Sequence, residues 1–173
     1  MFPDLPQYRV RDLPVAADLN SHLCAAFALL GEAPAVRRSH FFHGRFENLY
    51  LPLNAVPRLR EVLHFAEDAA RELLGQPQLC LRTGFWFNRM RPGDVTSRHT
   101  HDEDDELVSA VYYIRAPADS GNLILHTSAG VQSVTPRDGR LVLFPPWLPH
   151  EVAPNRSGET RLSLGMNIGP GAS

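Results

Sequence analysis

The chain is poor in cysteine, has no long apolar run and carries no excess of positive charge. Its two cysteines, Cys24 and Cys80, match the spacing of neither a disulfide framework nor a zinc ribbon, and both read as buried small hydrophobes. No window approaches the roughly 18 apolar residues of a membrane span. The opening Met1-Phe2-Pro3-Asp4-Leu5-Pro6 lacks the basic and then apolar stretches of an export signal. A cytoplasmic protein without a membrane role is expected. The 17 basic and 19 acidic residues give a formal net charge of -2 and are spread along the chain. The positive field that would hold nucleic acid is therefore missing.

What is present is enough for one core. A chain of 173 residues, 43% hydrophobic, can bury a real interior yet is short for two. We expect a single domain over 1–173, with 1–76 buttressing a β core over 77–170. In the first part, Asp12-Leu13-Pro14 suits a helix start, and Leu19, Leu23, Phe27 and Leu30 fall on one stripe that Gly31 would end. Residues 36–51 look extended, with aromatic residues broken by Gly44 at a hairpin-like position. Asn54 and Pro57 open a second helix in which Leu59, Val62, Leu63, Ala66, Ala69 and Leu73 recur at three and four residues, closing at Gly75.

From Gln78 onward the helical period vanishes. Short β-rich runs near 79–90, 107–116, 122–126, 141–144 and 160–168 alternate with turns rich in Gly, Pro and Asp, the texture of a barrel or sandwich. Two helices outside one curved antiparallel sheet would cover an otherwise exposed face.

The densest chemical signal is Arg98-His99-Thr100-His101. Two imidazoles one residue apart project to the same side of an extended backbone, where both can reach one metal. Downstream, Phe144-Pro145-Pro146-Trp147-Leu148-Pro149-His150-Glu151-Val152 offers a third histidine in a loop stiffened by prolines. Three ligands on a barrel leave metal positions open. Solvated loop histidines are the plainer alternative. Eleven residues after His150, Arg161-Leu162-Ser163 sends a guanidinium and a hydroxyl to one face of a strand. An arginine so placed can grip a carboxylate through two parallel hydrogen bonds, although Arg-x-Ser in a strand is more often surface decoration.

Four motifs together resemble the iron(II)- and 2-oxoglutarate-dependent oxygenases, including prolyl hydroxylase-like and bacterial branches, over about 86–168. Asn88-Arg89-Met90-Arg91-Pro92-Gly93, with His99 six residues beyond the glycine, is similar to the lead-in to the family's first iron ligand. Ser109-Ala110-Val111-Tyr112-Tyr113-Ile114, followed by Pro117 and Ser120-Gly121, is similar to its Tyr-Tyr-Leu strand and turn. Pro149-His150-Glu151-Val152 and Arg161-x-Ser163 look like its distal ligand and its 2-oxoglutarate anchor. The resemblance implies a mainly β fold with flanking helices, a double-stranded β-helix of the jelly-roll, cupin-like type. It implies Fe(II) as metal and 2-oxoglutarate as co-substrate. His99, His101 and His150 are then the metal ligands, and Arg161, Ser163, Tyr113 and Asn88 the co-substrate contacts. Hydroxylation of a small-molecule or peptide substrate, with release of succinate and CO2, is the expected outcome.

The pattern departs from the family at the proximal pair. Members usually carry His-x-Asp or His-x-Glu, whereas the register set by Gly93 puts His101 at the carboxylate position. Neutral imidazole there leaves the metal site at about +2 rather than about +1, which strengthens anion binding. The acidic run Asp102-Glu103-Asp104-Asp105-Glu106 lies alongside. Two other registers stay open, His101 with Glu103 and His99 with Asp102. Two rival functions also stay open: a cupin-like three-histidine dioxygenase or isomerase that needs no 2-oxoglutarate, and a barrel that binds a small anion without chemistry. Trp86, Phe87 and Trp147 are candidates for the pocket wall. His22, His40, His43, His64 and His126 read as ordinary surface or packing residues. The oligomeric state is open.

Overall fold

Alternation of apolar with polar or small residues through the second half of the chain builds two antiparallel sheets. The computed structural model describes residues 7–30, 37–42, 45–101 and 105–171. In chain order the elements are β1 (Arg9–Asp12), α1 (Ala16–Leu30), β2 (Arg37–Phe42), β3 (Arg45–Tyr50), a 3-10 turn (Leu53–Ala55) and α2 (Leu59–Leu74). There follow β4 (Leu81–Met90), β5 (Thr96–His99), β6 (Val108–Arg115), β7 (Leu123–Thr127), β8 (Gly130–Val134), β9 (Arg140–Phe144), β10 (His150–Val152) and β11 (Arg161–Pro170). The larger sheet has the order β1-β9-β6-β11-β4-β3-β2 and the smaller one β5-β10-β7-β8.

Both helices pack on the larger sheet, α1 against β6 and α2 against β4, β6 and β9. Leu23, Leu59, Val62 and Ala66 meet Phe87, Leu141, Leu143, Leu164 and Met166 in that layer. A second, smaller cluster of Tyr113, Leu123, Leu125, Val142, Phe144 and Leu148 joins strands of the two sheets. Strand β6 shows the division in two neighbouring residues. Tyr112 belongs to the helix-side core and donates its hydroxyl to Asn20 Oδ1 on α1 at 2.8 Å, while Tyr113 belongs to the inter-sheet cluster. Period-two geometry alone separates them.

The expected helices and strands are present, with corrections at their edges. Helix α2 ends where Gly75 donates its N–H to the carbonyls of Arg71 and Glu72. Asp12 is not a helix cap. It closes β1, in register with Arg140, and its carboxylate takes the Arg140 guanidinium at 2.9 and 3.1 Å. That bond holds the Asp12 carboxyl below its ordinary range. The helix begins four residues further on. Strands β1, β5, β8 and β10 were not expected as such. Cys80 is exposed and Cys24 half-buried, so neither is the buried hydrophobe expected. The expected breaks at Gly31 and Gly44 lie outside the described residues. No helix among the described residues is long and apolar enough to cross a membrane.

Candidate metal centre

A cavity of about 500 Å³ is lined by residues of both sheets, among them all seven residues singled out from the sequence. Three histidines converge on it. His99 ends β5 and His150 opens β10, and the two are direct cross-strand partners. His101 follows β5, its backbone N–H bonded to the Pro146 carbonyl at 2.8 Å, which ties it to the loop that leads to His150. One nitrogen from each ring lies within 4.8 Å of the other two. Ring centroids are 4.3 Å apart for His99 and His150, 4.8 Å for His99 and His101 and 5.1 Å for His101 and His150.

Two of the rings are held by their own backbone. The Nδ1 of His99 meets the Ser97 carbonyl at 2.8 Å, and that of His150 meets the Leu148 carbonyl at 2.9 Å. A ring that donates Nδ1–H to a carbonyl presents its Nε2 lone pair, the arrangement common to metal-bound histidines. Burial, with the neighbouring His99 and His101 adding to it, pushes His150 down to about 3 against the opposing pull of the Leu148 carbonyl. Its imidazole is therefore neutral, the form a metal binds. The alternative ligands Asp102 and Glu103 lie outside the described residues.

The floor of the cavity is one row across three strands of the larger sheet. Ser163 on β11 pairs with Asn88 on β4 and with Tyr113 on β6. Two positions along β11, Arg161 is 2% exposed. Its Nη1 donates to the carbonyls of Ser120 and Gly121 at 3.1 and 2.7 Å, and its Nη2 lies on the Met90 sulfur. The guanidinium carbon stands 5.6 Å from the centre of the Tyr113 ring. Gly121 has a positive φ of 94°, and a side chain there would meet the Ala153 carbonyl oxygen at 2.2 Å, so glycine is required where the chain offers this carbonyl.

Among the described residues no carboxylate pairs with Arg161. Its Nε is buried without a partner, as is the Asn88 Oδ1. Burial lowers the Arg161 pKa, Arg45 adding to the shift and Tyr113 opposing it. A buried guanidinium without a counter-ion is costly and favours an incoming anion.

Trp86 also lines the cavity. It lies over Gly165, where an added Cβ would fall 2.5 Å from the indole, and its ring centre is 5.6 Å from that of His101. Phe87, by contrast, is in the helix-side core against Phe27, and Trp147 is exposed and does not line the cavity. Neither of these two candidates is part of the wall. His126 pairs with Glu151 at 2.9 Å, His22 lies near Asp18 and Arg58, and His64 is exposed. His43 lies outside the described residues.

The opposite wall was missed in the sequence. His40, Glu47, Asn48 and Tyr50 of β2 and β3 line the cavity. A hydrogen-bonded set links the Ser39 hydroxyl to His40 Nδ1 at 2.8 Å and to the Tyr50 hydroxyl at 3.0 Å, with the Asn48 amide on His40 Nδ1 at 3.1 Å. The available signal was the polar Glu-Asn pair inside an otherwise aromatic strand, and the alternation by itself suggests a solvated face.

Residues 85–169 match the model of the 2OG-Fe(II) oxygenase superfamily. Among solved structures, a prolyl-4-hydroxylase of Pseudomonas putida superposes with a TM-score of 0.68 at 24% identity, over 99% of this chain and 91% of that one. The non-heme alpha-ketoglutarate-dependent carbocyclase SnoK of nogalamycin biosynthesis gives a TM-score of 0.79 at 13% identity, over 98% and 81%. A prolyl hydroxylase of Trichoplax adhaerens, solved with a hypoxia-inducible-factor peptide, gives 0.69 at 14% identity, over 95% and 84%. No curated protein sequence matches the chain. These likenesses establish a jelly-roll, double-stranded β-helix fold. Residues 85–169, the β core of the chain, are matched by the 2OG-Fe(II) oxygenase superfamily, whose members use Fe(II) and 2-oxoglutarate.

Proposed function

We propose that the cavity is the active site of a hydroxylase in which His99, His101 and His150 bind iron(II) and Arg161, Ser163, Tyr113 and Asn88 hold 2-oxoglutarate. The observation that carries this reading is the pairing, in one cavity, of three converging imidazoles with a buried guanidinium that has no carboxylate partner among the described residues. A dicarboxylate with a keto-acid end can satisfy both at once.

Iron bound here would supply open coordination positions and the redox chemistry that couples decarboxylation of 2-oxoglutarate to oxidation of a substrate by O2. The chain's own part is positioning. Arg161 offers charge-assisted donors to the far carboxylate, and the Tyr113 ring beside it keeps the guanidinium in place. Ser163 and Asn88 bring a hydroxyl and an amide from the same row. Phe144, Leu123 and Val152 supply an apolar wall, and the Phe144 ring, tilted by 57°, lies 4.6 Å from that of His150. With three neutral ligands, the negative charge needed at the metal falls to the co-substrate, which makes 2-oxoglutarate part of the site's charge balance.

The substrate is a small molecule or a peptide side chain, in keeping with what the solved neighbours act on. The chain supplied with iron(II), ascorbate, O2 and 2-oxoglutarate is expected to form succinate, slowly without substrate and faster with it. His150→Ala should abolish both this activity and tight metal uptake. Metal uptake without 2-oxoglutarate binding would instead favour a three-histidine dioxygenase, the reading that the missing carboxylate ligand supports.

A further inference from the structure

Glu47 is the only buried carboxylate among the described residues, 6% exposed, and it lines the same cavity as Arg161 and the three histidines. Its surroundings do not balance its charge. One oxygen accepts from Arg45 Nη2 at 3.0 Å, and no hydrogen bond or ion pair among the described residues reaches the other. That second oxygen is not sealed off either, being absent from the fully buried, unpartnered atoms. It therefore borders open space, which at this position is the cavity.

Holding Arg45 is not a sufficient role for Glu47. The Arg45 guanidinium already faces Asp94 at 3.3 Å and donates to the carbonyls of Val95 at 3.0 Å and Arg89 at 3.4 Å. One cation thus stands between two carboxylates, and the group carries a surplus negative charge with one oxygen turned to the cavity. A buried carboxylate in that state favours a cationic donor that can reach it. Iron and 2-oxoglutarate do not answer this need, because their partners are the histidines and Arg161. The remaining occupant of the cavity is the substrate. Around Glu47, the Asn48 and Tyr50 side chains bring an amide carbonyl and a hydroxyl oxygen to the same wall, and an ammonium group with three N–H donors needs acceptors of that kind beside the carboxylate.

We propose that Glu47 is a substrate-specificity residue and that the substrate carries a cationic ammonium group bound by its carboxylate. This rests on reading the cavity as an oxygenase active site. It narrows the substrate class to amines and free amino acids or to lysine-like side chains of a peptide.

The test is a binding comparison on the full chain loaded with redox-inert Zn(II), titrated with n-butylammonium and with n-butanol, in the presence and absence of 2-oxoglutarate. Side-chain amide resonances of Asn48 in a 15N-labelled sample report occupancy. Butylammonium should bind about tenfold or more tighter than butanol, and Glu47→Gln should erase the preference while 2-oxoglutarate still binds. Equal affinities, or absence of butylammonium binding in the native chain, would overturn the proposal without recourse to any variant. A chain that binds butylammonium through Glu47 but not 2-oxoglutarate would break the oxygenase reading and leave the ammonium subsite standing.

Discussion

The two faces of β11 are almost equally buried and differ in every other respect. Leu162, Leu164, Met166 and Ile168 face the helices and belong to the larger core. Arg161, Ser163, Gly165 and Asn167 face the cavity. On an ordinary half-exposed strand the polar set would be turned to water and its members would be interchangeable. Here it is turned inward, so each polar atom needs a partner that the chain supplies only in part. The apolar row holds the fold together, whereas the polar row stores unsatisfied hydrogen-bonding capacity for a ligand.

The largest effect should come from exchanging the two chemistries at one position. Arg161→Met places an apolar side chain of similar length in the polar row. Losing one partner of a buried charge pair costs about 2–5 kcal/mol, so 2-oxoglutarate affinity for the Zn(II)-loaded chain should fall by roughly 30-fold to several thousandfold, as read by calorimetry. Stability without ligand should change by less than about 1 kcal/mol, because two contributions oppose each other. Relief of the desolvated cation is worth several kcal/mol, while the Ser120 and Gly121 carbonyls lose a donor at about 1–3 kcal/mol each. A large stability loss with unchanged affinity would show that Arg161 serves the fold.

Leu164→Ala should reverse the pattern. Leu164 is fully buried and lies in register between Phe87 and Tyr112. Truncation there should cost about 2–5 kcal/mol of stability in urea or thermal unfolding. The 2-oxoglutarate dissociation constant should stay within about twofold of the native value, since the next residue on the cavity side is untouched.

The inverted polarity of β11 also explains what could be read from sequence. Strands β4, β6, β7, β9 and β11 were legible from alternation, and α2 from its three- and four-residue repeat. The short strands were not: β10 has three residues and β5 four, too few for a period to register. β1 was hidden because Asp12-Leu13-Pro14 imitates a helix start, and only the remote Arg140 reveals its actual partner. Of the seven cavity residues singled out, the three histidines and Arg161 with Ser163 were legible because imidazole and guanidinium groups are rare at such spacings, whereas Tyr113 and Asn88 were legible only through the family resemblance. Glu47, Asn48 and Tyr50 were not, because what brings them to the cavity is the pairing of Leu49 with Phe87, a contact between distant strands that no local pattern encodes.

The smallest effects should come from two adjacent tyrosines, and they divide the faces within one dipeptide. Tyr112→Phe removes the hydroxyl that donates to Asn20 Oδ1. Both residues are buried, and the Asn20 Nδ2 already lacks a partner, so the oxygen is left unsatisfied too. A loss of about 1–3 kcal/mol of stability is expected, with 2-oxoglutarate affinity unchanged. Tyr113→Phe keeps the aromatic ring beside Arg161 and removes only a hydroxyl on the cavity side. Stability should hardly move, and the 2-oxoglutarate dissociation constant should rise by about fivefold, the worth of one hydrogen bond of about 1 kcal/mol. If Tyr113→Phe instead destabilises the chain and leaves affinity intact, the hydroxyl belongs to the fold, and the boundary between the structural and the ligand-binding face would have to be drawn on the far side of Tyr113.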